Sequence, residues 1–235
     1  MTSDRTGIRP PGGAGTSAGD PNPLADGTAF RHRVIARLTG EGAAGSVDPD
    51  QGPRHGDREL DPGTRAPDTG EILRPAAVLI PVVARDDTLD VIFTVRAEHL
   101  ASHAGQISFP GGKIEPGDSG PADAALRESE EEIGLARDFV EVLGRLDPFR
   151  TGTGFCIEPI VGLVRPGFTL VADRGEVADI FEVPLAFLMD PANLQRHARE
   201  WRGSLRTYYA IPYGERVIWG ATAGIVKNLY ERLMG

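Results

Sequence analysis

A glycine-rich turn running into an acidic helix, GGKIEPGDSGPADAALRESEEEIGL from Gly111 to Leu135, is the feature that most restricts this chain. Pro121 suits a first helical turn, where its missing N–H costs nothing, and Gly134 suits a helix stop. At about 100° per residue, Ala122, Ala125, Leu126, Ser129 and Ile133 fall in one stripe, the face expected to pack against the fold. Glu128, Glu131 and Glu132 fall within an arc of about 100° on another side. Carboxylates crowded in this way repel one another and weaken a bare helix. A hard divalent cation, which prefers oxygen ligands, reverses the sign of that effect. An acidic run on a helix is ordinarily a solvated face. Here it follows a Gly-Gly turn and has an apolar back, and that combination points to a metal site.

The stretch resembles the Nudix box, Gly-x5-Glu-x7-Arg-Glu-U-x-Glu-Glu-x-Gly-U with U a bulky apolar residue. Gly112 matches the first glycine, and Arg127, Glu128, Glu131, Glu132, Gly134 and Leu135 match the second half. Asp118 stands where the box has Glu, the spacer to Arg127 is one residue longer, and Ser129 replaces an apolar residue. Upstream, IFTVRAEHLASHAGQISFPGG (Ile92 to Gly112) resembles the motif of the coenzyme A pyrophosphatases within that superfamily, L-L-T-x-R-[SA]-x3-R-x3-G-x3-F-P-G-G. Thr94, Arg96, Ala97, Gly105, Phe109, Pro110, Gly111 and Gly112 match it, whereas Ala101 occupies the place of its second arginine. Losing that cation would weaken or redirect the choice of an anionic substrate.

The resemblance implies an α/β/α sandwich around a mixed β-sheet, covering most of residues 72–235. It implies Mg²⁺ or Mn²⁺ held by Glu128, Glu131, Glu132 and the main-chain carbonyl of Gly112, with Arg127 orienting a box carboxylate. Arg96, Thr94, Phe109 and Gly111 become the substrate contacts. The general base is left open between the box glutamates Glu128 and Glu131 and a glutamate on a distant loop, for which Glu176 is the best candidate. The implied substrate is CoA or an acyl-CoA, cut to 3′,5′-ADP and (acyl-)4′-phosphopantetheine. Two alternatives stand beside it: the same chemistry on ADP-ribose, dinucleoside polyphosphates or other nucleotides, and a catalytically silent nucleotide-binding module.

Composition bounds the rest. Residues 1–28 and 40–71 are rich in Gly, Pro, Asp and Ser and read as a flexible segment and a linker, with a short helix expected over 29–39 through Phe30, Val34, Ile35 and Leu38. No apolar run approaches a membrane span and the N-terminus is polar, so neither a leader nor a membrane anchor is expected. The single cysteine, Cys156, forbids an intrachain disulfide, suits a reducing cytoplasm, and reads as a strand residue without chemical duty. A formal net charge of −9 argues against nucleic acid as a partner. A small polyanionic substrate then needs a bound cation and local positive charge, for which Arg96, Lys113, Arg145 and Arg150 are candidates. A homodimer is compatible with the sequence. Strands are expected over 75–83, 89–96 and 156–164, with Pro159 hinting at an edge or bulge. The segment 181–189 should begin extended and turn helical after Pro184, 205–211 alternates polar with apolar residues, and 221–234 reads as a closing amphipathic helix. The loop TGTGF (Thr151 to Phe155) lies where it could approach a ligand.

Overall fold

The near-continuous apolar run RPAAVLIPVVA is buried on both faces, as a strand at the centre of a covered sheet must be. The computed structural model describes residues 24, 26–38, 55–57, 73–100, 103–201 and 204–235. In chain order the elements are α1 (Gly27–Leu38), β1 (His55–Gly56), β2 (Arg74–Ala84), β3 (Leu89–Arg96), β4 (Ile107–Ser108), β5 (Gly111–Lys113) and α2 (Pro121–Ile133). There follow β6 (Val140–Arg145), β7 (Phe149–Arg150), β8 (Phe155–Val164), β9 (Val177–Pro184), α3 (Leu185–Leu188), β10 (Gln195–Trp201), β11 (Ser204–Tyr213), β12 (Arg216–Trp219) and α4 (Ala221–Met234).

The main sheet is mixed. β2 and β8 run parallel from Arg74↔Phe155 to Val83↔Val164, and β3, β5, β6, β7 and β9 add antiparallel pairings. One core packs the sheet against α2 through Ala77, Leu79, Ile92, Ala124, Ala125 and Ile133. The other packs the opposite face against α1 and α4 through Phe30, Val34, Val82, Phe93, Ile225 and Leu229. Helices therefore cover both faces, giving the α/β/α sandwich. A smaller antiparallel sheet, β10-β11-β12, sits beside it.

Pro159 lies in an interior strand rather than at an edge. Its carbonyl accepts from Leu146 N–H at 3.0 Å, so its ring nitrogen also faces the side away from β2. That side is the gap between the registers of β7 (Phe149↔Ile157) and β6 (Arg145↔Ile160), where a missing donor breaks no ladder bond. The ladder irregularity nearby is in β6, between Val142 and Gly144 opposite Gly162 and Val161, and not at Pro159.

The segments expected over 1–28 and 40–71 fall almost wholly outside the described residues. The exceptions are informative. Asp26 accepts from the N–H groups of Thr28 and Ala29, both at 2.8 Å, and so caps α1. His55–Gly56 pair parallel with Phe149–Arg150, a strand where the composition suggested only linker. The helix begins at Gly27, two residues earlier than expected, because of that cap. No helix among the described residues is long and apolar enough to cross a membrane.

Phe30 has no exposed surface and joins α1 to the core shared with α4. Phe30→Ala is expected to lower unfolding free energy by about 3–5 kcal/mol in urea titrations. A loss below about 1 kcal/mol would show that α1 is not docked as described.

Candidate active site

The turn from β4 into β5 exists because two glycines remove two obstacles. Gly111 has φ of 150°, and a Cβ there would collide with the Ala77 carbonyl and the Val78 backbone. At Gly112 the obstacle is different: a Cβ would stand 2.5 Å from the Glu128 carboxyl carbon. The bare backbone lets β5 pair with β2 (Gly112↔Ala77, Gly111↔Val78) while the box helix closes over it.

Local chemistry fixes α2. Pro121 opens it, and Ser119 donates through N–H (3.0 Å) and Oγ (3.2 Å) to Asp123 in the first turn. Gly134 closes it in the left-handed conformation with its N–H on Glu130 O. Ala124 and Glu132 are buried, whereas Ala122 and Leu126 are only half-buried, so the packed face is rotated from the expected stripe. The rotation follows from Glu132, whose carboxylate is drawn toward the sheet by the Gly111 N–H at 3.1 Å. Ser129 is tolerated in the core because its hydroxyl donates to Ala125 O at 2.6 Å.

Glu132 is only 5% exposed. Burial pushes its carboxyl up to about 7, the Gly111 bond opposes this, and the charge on Glu128 adds to it. Burial also raises Glu128, with Arg127 opposing. Two shielded carboxylates, only partly offset by Arg127 and Arg96, with Glu128 packed against the Gly112 backbone, form an oxygen donor set that fits a hard divalent cation.

The third carboxylate is elsewhere. Glu131 is 60% exposed and bonds Arg127 at 2.9 Å. Among the described residues no three His, Cys, Asp or Glu side chains stand close enough to hold a metal ion, so the expected cage of three is not assembled. Arg127 is the reason. It pairs with Asp118 (2.9 Å), Glu128 (3.1 Å) and Glu131 (2.9 Å) and also donates to Lys113 O, gathering the charge along the helix edge. Its hydrogen bonds hold the Asp118 carboxyl below the usual range.

Arg96 and Glu176 complete the neighbourhood. The charge of Arg96 opposes the rise at Glu132, and its buried Nε has no hydrogen-bond partner among the described residues. Glu176 contributes to the rise at both Glu128 and Glu132, which places it within electrostatic reach of the pair.

Three expected substrate contacts are placed differently. Thr94 is 1% exposed and its hydroxyl is engaged with Ser108 O (3.2 Å) and Oγ (3.0 Å), so it joins β3 to β4. Phe109 is buried and stacks on Phe93 with centroids 4.8 Å apart, as part of the core. Gly111 gives its N–H to Glu132. Of the other cations, Arg145 pairs with Glu158 at 3.4 Å and Arg150 stands on β7, with β8 and β2 between it and the glycine turn. The TGTGF loop is a closed turn in which Phe155 N–H donates to Thr151 Oγ1 at 3.0 Å. Burial pushes the Cys156 thiol up, away from a reactive thiolate. Ala101 lies outside the described residues.

Asp173 was not singled out from the sequence. Its N–H donates to Glu132 O and its carboxylate accepts from Gly175 N–H at 2.8 Å, folding the turn before Glu176. Asp-Arg-Gly was the available signal, since Asp commonly bonds the backbone two residues on.

A NUDIX domain model matches residues 73–202. Among curated proteins the chain is similar to Nudix hydrolase NudL of Yersinia enterocolitica, an uncharacterized protein, at 41% identity over 163 residues covering 67% of this chain and 80% of that one. The Photorhabdus laumondii NudL is 39% identical over 160 residues, covering 68% and 85%. Among solved structures, the Nudix hydrolase RenU of M. smegmatis aligns with a TM-score of 0.47 and 17% identity, over 67% of this chain and 84% of that one.

The two glycines should respond differently to substitution. The nearest atoms to a Cβ in Gly112→Ala are the movable end of Glu128, so the substitution is expected to leave the thermal midpoint nearly unchanged while displacing that carboxylate and lowering turnover at least about tenfold. Gly111→Ala meets backbone and should cost about 1–3 kcal/mol of stability. Equal destabilisation by both, measured by thermal and urea unfolding, would contradict this geometry.

Proposed function

Since the chain belongs to the Nudix hydrolase family, we propose that it hydrolyses the pyrophosphate bond of a nucleoside diphosphate derivative, and that CoA or an acyl-CoA is the substrate. The observation carrying the hydrolase reading is the shielded Glu128–Glu132 pair against the Gly111–Gly112 turn, with Arg96 and Glu176 in its field. The CoA reading is supported by the residues Thr94, Arg96, Ala97, Gly105 and FPGG, which match that subfamily's motif.

In this mechanism Glu128, Glu132 and the Gly112 carbonyl would hold Mg²⁺ or Mn²⁺, with Glu131 joining from the rim on release from Arg127. The cation, when bound, neutralises the pyrophosphate oxygens and makes a water more acidic. Arg127 keeps Glu128 oriented and Gly111 N–H fixes the Glu132 carboxylate. Arg96, whose buried Nε has no partner among the described residues, takes a phosphate oxygen of the substrate. Glu176 accepts the proton of the attacking water. The new P–O bond forms at one phosphorus, the bridging P–O bond breaks, and the other phosphate leaves with the electron pair.

A panel of CoA, acetyl-CoA, ADP-ribose, diadenosine polyphosphates and dNTPs, incubated with Mg²⁺ or Mn²⁺ and resolved chromatographically, tests the substrate. Release of 3′,5′-ADP from CoA is the expected outcome. Cleavage of ADP-ribose with CoA intact would mean that Ala101 marks a change of specificity, and no turnover would favour a binding module. Glu132→Gln keeps an acceptor for Gly111 but loses the charge, and is expected to lower kcat about 10²-fold or more with folding retained. Near-normal turnover in Glu132→Gln and Glu131→Gln together would remove these residues from the reaction.

A further inference from the structure

The geometry assigns His99 a role that the sequence motif leaves blank: we propose that it is a positioning residue that holds the turn carrying Glu176. The inference rests on Glu176 as the base, and its test separates the two.

The turn from Asp173 to Glu176 is tied at both ends. On one side it is bound to the box helix, through Val171 N–H to Ile133 O and Asp173 N–H to Glu132 O, both at 2.9 Å. Within the turn, Asp173 O accepts from Glu176 N–H (3.0 Å) and Val177 N–H (2.8 Å), while its carboxylate accepts from Gly175 N–H. On the other side it meets the residues that follow Arg96. Ala97 N–H donates to Glu176 O at 2.8 Å, and the His99 ring stands 3.1 Å from Gly175 O through Nε2.

A carbonyl oxygen only accepts, so His99 Nε2 must carry the proton. That donor is present whether or not Nδ1 is also protonated. The ring is exposed, belongs to neither hydrophobic core, and makes no other hydrogen bond among the described residues. Packing therefore gives no reason for a histidine here. The contact to Gly175 does. Glu176 is itself exposed, and a carboxylate on a surface turn holds its place only through the backbone bonds of that turn. Ala97 and His99 fasten the last two residues of the turn to the strand end that bears Arg96, so the proposed base and the proposed phosphate contact share one frame.

The test uses the full chain with the substrate that the wild type cleaves, comparing His99→Phe, His99→Gln and Glu176→Gln. His99→Phe is expected to lower kcat about tenfold with KM within about twofold, a change of about 1.4 kcal/mol, the upper end of what one such hydrogen bond contributes. His99→Gln, whose side-chain amide restores a donor, should recover kcat to within about threefold. Amide hydrogen exchange of Gly175 to Val177 should quicken roughly fivefold in His99→Phe and return in His99→Gln. Unchanged exchange and unchanged kcat in His99→Phe, with Glu176→Gln inactive, would overturn the latch alone. Failure of Gln to rescue would overturn the hydrogen bond as its basis. Full activity in Glu176→Gln would remove the base and, with it, this role for His99.

Discussion

The hydrogen bond from Gly111 N–H to the Glu132 carboxylate is the contact on which the rest of the site depends. It brings a helix carboxylate down onto a sheet turn that only glycine can make. Once Glu132 is buried there, Glu128 must pack on the bare face of Gly112, and the sum is negative charge in a place poorly reached by water. The helix end is then pinned by the irregular segment that leads to Glu176, whose Val171 and Asp173 N–H groups donate to the carbonyls of Ile133 and Glu132. A fold stabilised by these contacts carries an electrostatic strain that a cation would relieve.

Arg127 manages that strain along the solvent side. It binds Asp118, Glu128 and Glu131 at once, which accounts for an aspartate on a longer spacer serving where the Nudix box has glutamate. The shorter acid reaches the guanidinium because the extra residue lets the loop fold back, with Glu115 N–H donating to Asp118. Glu131 is the most exposed of the three.

Much of this was legible in the chain, and the reasons differ by residue. The limits of α2 and α4 follow from Pro121, Gly134 and an apolar period, signals that are local and strong. The central strands were readable from unbroken apolar runs, and the helical turn after Pro184 from the proline itself. The motif named Thr94 and Phe109 but could not say which way they point; Thr94 lies in the run of β3 that is buried on both faces, and Phe109 folds in to stack on Phe93. Convergence of three glutamates was expected from the helical arc, the Gly-Gly turn and the box resemblance, yet Glu132 turns inward to the Gly111 N–H and Glu131 outward to Arg127. Asp173 and His99 act through backbone carbonyls distant in sequence, and no periodicity reports such contacts.

The most direct measurement is calorimetric titration of Mn²⁺ into the wild-type protein, Glu128→Gln and Glu132→Gln. Binding by the wild type, weakened about tenfold or more in each variant while the thermal midpoint holds, is the expected result. Undiminished Mn²⁺ affinity in Glu132→Gln would contradict the claim that the carboxylate beneath Gly111 exists to hold a cation.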